Sequence, residues 1–395
     1  GDSLYHSKEM PEIKFTAPVS GKVIEINRGE RRMITEVVIE ADKQQKYVEF
    51  DKYDDASLER ASAEDITRNL LNSGLWPSLT KRPYGVLANA NKLPRDIFIS
   101  CFDSAPLAAD QLLIAGDAKE AFQFGLNVLK KLTDGSIYLG VDGSSQESTQ
   151  FFSSFKNVQV NSFKGKHPAG NVGVQIHHVK PINRGDIVWT VSVANVLEIG
   201  RLFMTGYLQS NLIVAVAGEN AGEHKYFRTH RGVAVERLIA GIKDNSRIIS
   251  GNVLTGTKIE NTGYVGYFDN LVTIIPEGNH HEFLGWILPG FKKESFSGTF
   301  PGKFFPAKEY SHNTNLHGGH RSFVQTGYYE KVLPMDILPV HLLKSILTED
   351  IELMEGLGVY EIVEEDLALC EFICPSKVQV QDIVREGFEL MIREV

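Results

Sequence analysis

Cysteine is scarce in this sequence of 395 residues, which contains only Cys101, Cys370 and Cys374. So small and odd a number cannot build a disulfide framework, and it is typical of a protein from a reducing compartment. It is also fewer than the four thiolates that usually hold an iron–sulfur cluster. Any role in electron transfer would therefore operate without a cluster bound by this chain.

Long apolar runs and signal patterns are missing too. The longest apolar stretches, such as Leu212–Ala217, are far shorter than the roughly 20 residues that span a bilayer. The first residues, Gly1–Leu4, show no basic segment followed by an apolar one, so no secretory signal is predicted. The 41 basic and 50 acidic residues give a net charge of −9, which disfavours binding to nucleic-acid phosphates.

Common catalytic and nucleotide-binding motifs are absent. The sequence lacks G-x-G-x-x-G, G-x-x-x-x-G-K-S/T, H-E-x-x-H and G-x-S-x-G. Its composition, with 42% hydrophobic and 23% charged residues, is that of an ordinary folded protein. The residues alone therefore predict a multidomain intracellular α/β protein with little prospect of catalysis by itself.

The N-terminal segment reads as short strands at Ile13–Thr16, Lys22–Ile26 and Thr35–Ala41, with Tyr47–Phe50 as a further candidate. Within it, Ala17–Val23 resembles the opening of biotinyl/lipoyl-type domains, which are barrel-sandwich hybrids. A covalent carrier needs a lysine on a hairpin tip with acidic and methionine neighbours. Lys43 and Lys46 lack that context, so a carrier function, which would add mass to one of these lysines, is the third-ranked hypothesis.

An α/β segment follows. Ser62 with Asp65 predicts the start of a helix and Gly74 its end, after which Leu75–Asn91 is predicted to be a loop. Further strands are predicted at Ile97–Phe102, Ser136–Val141, Val158–Val160 and Ile187–Ala194. Asp117 is expected to cap the helix between the first two of these strands. A strand–helix–strand order of this kind predicts a parallel sheet.

Short strands around one helix, Val233–Ile239, are predicted for the third region, with a strand and a glycine-flanked turn at Arg247–Gly256. Beyond Leu333 the apolar spacing predicts four helices, at Asp336–Leu347, Ile351–Leu357, Asp366–Ile373 and Val378–Glu394.

Two groups of side chains invite a ligand-binding interpretation. Asp103, Asp110 and Asp117 follow the first sheet strand, where open α/β sheets bind ligands, but helix capping and loop solvation are the favoured roles. A histidine group, His312, His317 and His320, has spacing that a metal site could use. No carboxylate lies in the same run, so packing in a loop or interface is favoured there.

Several stretches, taken in order, resemble one family along nearly the whole chain: the A subunits of the Na⁺-translocating NADH:quinone reductases (Na⁺-NQR). These stretches are Thr16–Gly21, Leu70–Trp76, Lys81–Gly85, Asp103–Asp110, His167–Gly170, Thr229–Gly232, Glu365–Cys370 and Cys374–Lys377. The resemblance also implies kinship with the flavin-binding subunit of respiratory complex I and the C subunit of the Rnf complex.

This resemblance implies a peripheral subunit on the cytoplasmic face of a bacterial inner membrane, which reaches the membrane through partner subunits only. The assembly would pass electrons from NADH to ubiquinone or menaquinone and export Na⁺. FMN, FAD, riboflavin, iron–sulfur centres and NADH are expected on the partner subunits. Contact with quinone is the one cofactor interaction that the resemblance leaves to this chain, and the isolated chain is expected to be inactive.

The sequence departs from its flavin-binding relatives at two places. Where a glycine-rich loop would cradle the FMN phosphate, it has Gly74, Leu75, Trp76 and Pro77. Bulky residues remove the close backbone approach that glycine allows, and proline removes an N–H donor. At the other place, the Cys370 and Cys374 pair lacks the further cysteines of a cluster site. We therefore predict no catalytic residue, no metal site and no cofactor-binding residue on this chain.

A quinone needs a flat apolar slot with one or two hydrogen-bond donors. The loop-rich segment contains side chains of this kind, and from it we select Trp286, Phe304, His317 and His320 as candidate quinone contacts. The alternative is that the aromatic residues pack domains together or dock neighbouring subunits. The alternative function for the whole chain is a stand-alone flavin- or NADH-dependent oxidoreductase.

The predicted fold class is α/β, or more fully a multidomain α+β arrangement. Five parts are predicted: a barrel-sandwich hybrid (1–50), an α/β domain with a parallel sheet that resembles the complex I flavin subunit (51–205), a β-grasp-like domain resembling soluble-ligand-binding modules (206–277), a loop-rich connector (278–332) and a helical C-terminal part (333–395).

Overall fold

The computed structural model describes residues 1–279, 283–285, 287–291, 293, 296, 298–305, 309–316, 319–323 and 327–394. Its N-terminal part contains two antiparallel pairs of strands. They are β1 (Ser3–His6) with β2 (Lys14–Thr16), and β3 (Gly21–Arg28) with β4 (Ile34–Ala41). Tyr47–Phe50 does not form a strand; Glu49 makes a single antiparallel bridge to Tyr207.

A six-stranded sheet follows in the chain. Its strands are β5 (Thr80–Arg82), β6 (Val86–Leu87), β7 (Asp96–Ser100), β8 (Ile137–Asp142), β9 (Gln159–Phe163) and β10 (Val188–Thr190), in the spatial order β6-β5-β10-β7-β8-β9. β10, β7, β8 and β9 are parallel, whereas β5 and β6 are antiparallel additions at one edge. The predicted parallel sheet and the α/β fold class are confirmed.

Seven helices accompany this sheet: α1 (Asp55–Arg60), α2 (Ala63–Ser73), α3 (Gln111–Gly116), α4 (Lys119–Lys130), α5 (Gln146–Phe152), α6 (Val172–Val179) and α7 (Val193–Thr205). The Ser62 hydroxyl caps α2 by accepting the Asp65 N–H at 3.1 Å, and Gly74 ends it at φ 77°, as the sequence predicts. Only Val188–Thr190 of the strand predicted at Ile187–Ala194 is extended, because Ser192 caps α7 directly after it.

The third region forms a five-stranded sheet of β11 (Asn211–Ala217), β12 (Lys225–His230), β13 (Ser246–Ser250), β14 (Thr257–Ile259) and β15 (Leu271–Pro276), in the order β12-β11-β15-β13-β14. The strand predicted before a turn near Arg247 is confirmed by β13. The helix predicted at Val233–Ile239 is wrong, since only a 3₁₀ turn at Val235–Arg237 forms there.

The C-terminal stretch, described over residues 327–394, forms four helices: α8 (Pro339–Leu347), α9 (Ile351–Gly356), α10 (Glu364–Ile373) and α11 (Val380–Glu394). All four are predicted by the sequence, with small shifts of their ends. Among the residues that the structure describes, no helix combines the length and apolar character needed to cross a bilayer.

Alternating side chains place the two faces of the six-stranded sheet in different cores. Ile97 and Trp189 belong to a core with α2, α4 and α7, whereas Phe98 and Val188 point to the other side. On that other side they share an apolar core with α6 and the four C-terminal helices, through residues such as Phe388. The C-terminal helices therefore form a layer that packs directly on this face of the sheet.

Helices α4 and α7 approach each other closely because both carry a glycine at their contact. A Cβ atom added to Gly200 would lie 1.8 Å from the Ala121 carbonyl oxygen, and one added to Gly125 would lie 2.2 Å from that of Val196. Both obstacles are backbone atoms, so a side chain at either position would force the helices apart.

We predict that Gly200→Ala lowers the free energy of unfolding by about 2–3 kcal/mol, because the added methyl group overpacks a rigid helix contact. Urea unfolding followed by tryptophan fluorescence measures the change. The matched control is Gly116→Ala in α3, where an added Cβ meets no described atom within 4 Å. That variant should stay within about 1 kcal/mol of the wild type, and equal losses in both variants would contradict the close-contact interpretation.

Candidate functional site

The segment that stands in place of a glycine-rich loop is part of the hydrophobic core. Leu75, Trp76 and Pro77 are all buried, and a 3₁₀ turn at Trp76–Ser78 follows α2 directly. The Trp76 indole N–H donates to the Ala88 carbonyl oxygen at 2.7 Å, and its ring meets Trp189 edge to face. The loop predicted at Leu75–Asn91 is thus wrong in part, since it holds this turn together with β5 and β6.

The backbone N–H groups of Leu75, Ser78 and Leu79 already form hydrogen bonds within the chain. The N–H of Leu75 bonds to Leu70 O at 3.1 Å, that of Ser78 to Leu75 O at 3.0 Å, and that of Leu79 to Trp76 O at 3.0 Å. Pro77 has no N–H to offer. An added Cβ at Gly74 would lie 2.3 Å from the Thr16 hydroxyl oxygen, so the glycine serves packing against the N-terminal part. These three N–H groups and Gly74 are therefore engaged within the chain itself.

The loops at the carboxyl end of the sheet are tied to one another. The Ser100 hydroxyl lies 2.8 Å from Gly170 O, and the Gly170 N–H donates to the Ser104 hydroxyl at 2.8 Å. The same hydroxyl lies 3.2 Å from His167 Nδ1. Burial lowers the pKa of His167, so the ring is neutral at pH 7. At this edge, where α/β sheets bind ligands, these hydrogen bonds join the loop after β7 to the loop before α6.

The three aspartates that follow the first sheet strand have separate roles. Asp103 accepts the Ala105 N–H within its loop, and Asp110 caps α3. Asp117 does not cap α4, contrary to the sequence prediction; its carboxylate forms ion pairs with Arg201 at 3.0 Å and with Arg228. This carboxylate lines a cavity of about 340 Å³ between α7 and β12.

A buried arginine joins the sheet to the C-terminal helices. The Arg82 guanidinium, 3% exposed, donates to Asp366 Oδ2 at 2.8 Å and to Glu365 Oε1 at 2.6 Å. Asp366 also accepts the Val363 N–H at the start of α10, but its Oδ1 has no hydrogen-bond partner among the described residues. A Cβ added to Gly173 would lie 2.2 Å from Asp366 Oδ2, so only glycine leaves room for the pair.

Glu365 is the most exposed of the three charged side chains in this cluster. Part of the Glu365 side chain reaches solvent, yet desolvation by the surrounding protein raises the pKa of Glu365 to about 7. The Arg82 guanidinium opposes this rise and the Asp366 carboxylate adds to it. Desolvation therefore favours the protonated form of Glu365, whereas Arg82 keeps its charge.

This cluster is not predicted by the sequence. Arg82 and the two acidic residues lie in stretches that carried the family resemblance, but 284 residues separate Arg82 from Asp366. The available signal was an arginine within a run otherwise predicted as loop and an acidic pair at the start of a helix. Neither signal shows that the arginine and the acidic pair contact each other.

Cys370 and Cys374 lie one turn apart at the end of α10, and both are buried. The Tyr329 hydroxyl donates to Cys374 Sγ at 2.9 Å, and Cys370 Sγ lies 3.8 Å from Tyr329 O. Burial raises the pKa of Cys370 to about 12. Since metals bind the thiolate, such a group is a poor ligand. Within the described ranges, no three histidine, cysteine or acidic side chains are grouped to hold a metal ion.

Two of the four candidate quinone contacts can be placed. Phe304 is 77% exposed and His320 is exposed, whereas Trp286 and His317 lie outside the described residues. Other exposed apolar or aromatic side chains among the described residues of this connector are Phe283, Leu284, Ile287, Leu288, Phe291, Phe296, Phe305, Tyr310 and Leu316. So much apolar surface on one short segment indicates a contact with another molecule.

The buried cluster leads to a stability prediction. Arg82→Met leaves the Asp366 carboxylate buried without its partner, so we expect unfolding to become easier by about 3–5 kcal/mol. Urea unfolding measures this loss, and proteolysis of the C-terminal helices should begin at lower urea concentration. Adding Asp366→Leu and Glu365→Gln should recover part of the stability, since no uncompensated charge then remains.

Arg184→Met is the matched control. Arg184 also joins the α/β part to the C-terminal helices, through Glu355 at 2.8 Å, but its side chain is 70% exposed. We expect a loss of less than about 1 kcal/mol. Equal losses in the Arg82 and Arg184 variants would show that burial of the pair does not matter.

Comparison with known proteins supplies the family. Three domain profiles match: the NqrA N-terminal barrel-sandwich hybrid domain (1–42), the NqrA second alpha/beta domain (61–208) and the NQRA C-terminal domain (213–261). An NAD⁺-reducing NiFe-hydrogenase structure shows a TM-score of 0.43 at 11% identity, over 84% of this chain and 61% of that chain.

Full-length relatives agree with the domain profiles. The A subunit of the Na⁺-translocating NADH-quinone reductase of Yersinia pseudotuberculosis is 41% identical over 391 residues, which cover 98% of this chain and 86% of the relative. The protein of the same name from Neisseria meningitidis is 37% identical over 401 residues, covering 100% of this chain and 88% of the relative. The family resemblance inferred from the sequence is thereby confirmed, and the chain belongs to the NqrA family, the A subunits of the Na⁺-translocating NADH-quinone reductases.

Proposed function

We propose that this chain is a cofactor-free peripheral subunit of a Na⁺-translocating NADH:quinone reductase. In that assembly, electrons pass from NADH to ubiquinone or menaquinone and Na⁺ is exported. FMN, FAD, riboflavin, iron–sulfur centres and the NADH site belong to partner subunits. The chain lies at the cytoplasmic face of a bacterial inner membrane, which it reaches through those partners, and it supports electron transfer by holding them in position.

The observation that carries this proposal is that residues 74–79 are buried and bonded within the chain. A flavin phosphate needs backbone N–H groups that are free and directed at it. Here the N–H groups of Leu75, Ser78 and Leu79 bond to carbonyl oxygens of the chain, and Trp76 fills the space with an indole ring. Adding a flavin would require this part of the core to be taken apart.

The cysteine pair at the end of α10 supports the same conclusion. Tyr329 contacts both sulfur atoms, and burial favours a protonated thiol at Cys370, whose pKa it raises. The helix that carries the cysteines is fixed to the sheet by Arg82 through Glu365 and Asp366. The helices therefore act as a packed layer in this proposal, and the redox centres lie elsewhere in the assembly.

The test is the colour, cofactor content and activity of the purified full-length chain. We expect no flavin absorbance band, no stoichiometric iron, and no NADH oxidation with an artificial electron acceptor. The same preparation should restore NADH:quinone reductase activity when it is added to a complex lacking this subunit. Stoichiometric flavin, or NADH oxidation by the chain alone, would establish the alternative, a stand-alone oxidoreductase.

A second part of the proposal concerns quinone. The exposed aromatic residues of the connector, with Phe304 and His320 among them, offer apolar surface and a hydrogen-bonding group. We place quinone contact on this segment, next to a membrane subunit that covers the remaining apolar side chains.

For the assembled complex, we expect Phe304→Ser to raise the KM for quinone roughly fivefold, the usual effect of losing one aromatic contact. The kcat and the subunit composition should stay unchanged. Leu347→Ser is the matched control, because Leu347 is 52% exposed on α8 outside the connector. Loss of co-purifying subunits with an unchanged KM would instead assign Phe304 to subunit docking.

A further inference from the structure

The β3–β4 hairpin buries few of its own side chains. Of the sixteen residues in the two strands, Val38 alone is buried, while Asn27, Val37 and Ile39 are half-buried. No third strand from the described ranges pairs with it. A two-stranded hairpin is marginally stable in water unless something covers it.

One face of this hairpin is apolar. The register pairs Val23 with Ile39 and Ile26 with Val37, and residues directly opposite each other share a face. Val23 is 40% exposed and Ile26 is 49% exposed. Met33, 66% exposed, extends the apolar surface to the end of the hairpin.

The tip between the strands is basic. It carries Arg28, Arg31 and Arg32 against a single acidic residue, Glu30, in a chain whose net charge is −9. In the described part of the chain, none of these three guanidinium groups forms an ion pair with a carboxylate. Arg28 donates to the Arg32 carbonyl oxygen at 3.0 Å, which leaves most guanidinium N–H groups of the tip directed to solvent.

We propose that this hairpin is a docking surface for anionic phospholipids. Guanidinium groups bind phosphate through paired hydrogen bonds, and apolar side chains beside them can enter the boundary between headgroups and acyl chains. The chain as a whole is acidic and is repelled by an anionic bilayer, so a local basic tip would orient it at the surface.

The shape of the hairpin favours lipid over a protein partner. A largely exposed ribbon with a basic end and an apolar side fits a planar, deformable surface, whereas a protein would have to supply a matching groove. This inference goes beyond the proposed function, in which the chain reaches the membrane through partner subunits. Here the chain itself adds a direct contact.

Sedimentation with lipid vesicles tests the proposal on the full chain alone. We expect the wild type to bind phosphatidylcholine vesicles that contain phosphatidylglycerol and not those of phosphatidylcholine alone. Replacing Arg31 and Arg32 by glutamine should lower the partition coefficient at least about tenfold, in line with the usual contribution of a basic residue near an anionic surface. Added salt should weaken binding of the wild type more than that of the variant.

Met33→Ser separates the apolar contribution from the charge. It should reduce binding at low and high salt by a similar factor, because no charge changes. The matched control replaces Arg60 and Arg237, which are exposed outside the hairpin, by glutamine. This control alters the net charge equally and should leave vesicle binding unchanged.

Three results would overturn the proposal. One is a wild type that ignores phosphatidylglycerol, and another is equal loss of binding in the hairpin and control variants. The third is unchanged vesicle binding by the hairpin variants combined with loss of partner subunits from the detergent-purified complex, which would identify a protein contact. None of these depends on whether the chain holds a flavin, so the two proposals fail independently.

Discussion

The buried ion cluster of Arg82, Glu365 and Asp366 determines how the chain is assembled. Arg82 ends β5, near one edge of the six-stranded sheet, and the acidic pair opens α10. A buried guanidinium cannot be deprotonated and cannot remain without acceptors, so the helix must dock where its carboxylates reach it. Gly173 leaves the space for this contact, since any side chain there would displace the Asp366 carboxylate or the guanidinium.

The five-stranded sheet of the third region is attached in a similar way. Arg231, 4% exposed, donates to Glu198 Oε2 at 2.8 Å and to Asn195 Oδ1 at 2.5 Å, both on α7. Arg228 and Arg201 meet at Asp117 beside the same helix. Buried ion pairs add little net stability when their desolvation is counted, but an unpaired member is costly. Such pairs select one docking arrangement, while the apolar cores supply most of the stabilisation.

Sequence patterns predicted the regular elements well wherever local signals suffice. The parallel strands β7 and β8, the Ser62 cap and the four C-terminal helices depend on periodicity and capping chemistry within a few residues. The failures have a different origin. Leu75–Asn91 contains proline and glycine at positions typical of a loop. Its side chains nevertheless pack in the core, where Trp76 contacts Trp189 of the sheet. Val233–Ile239 is too short for its apolar spacing to decide between a helix and a single turn.

The site could be predicted only in part. Leu75, Trp76 and Pro77 lead to the prediction that this segment does not cradle a phosphate, because those residues cannot replace the geometry of glycine. Asp117 was assigned a cap because it precedes α4, but its carboxylate meets two arginines far away in the chain. Arg82 is not predicted as a site residue either, because its partner Asp366 is 284 residues away in the sequence. Partners that are distant in the sequence leave no local pattern.

One interior shared by a sheet face and a distant helical layer has an evolutionary consequence. Phe98 and Val188 belong to the same apolar core as Phe388. A change of side-chain volume on either side therefore needs a compensating change on the other. These two stretches should vary together across species, and a hybrid that combines them from remote lineages should inherit mismatched surfaces.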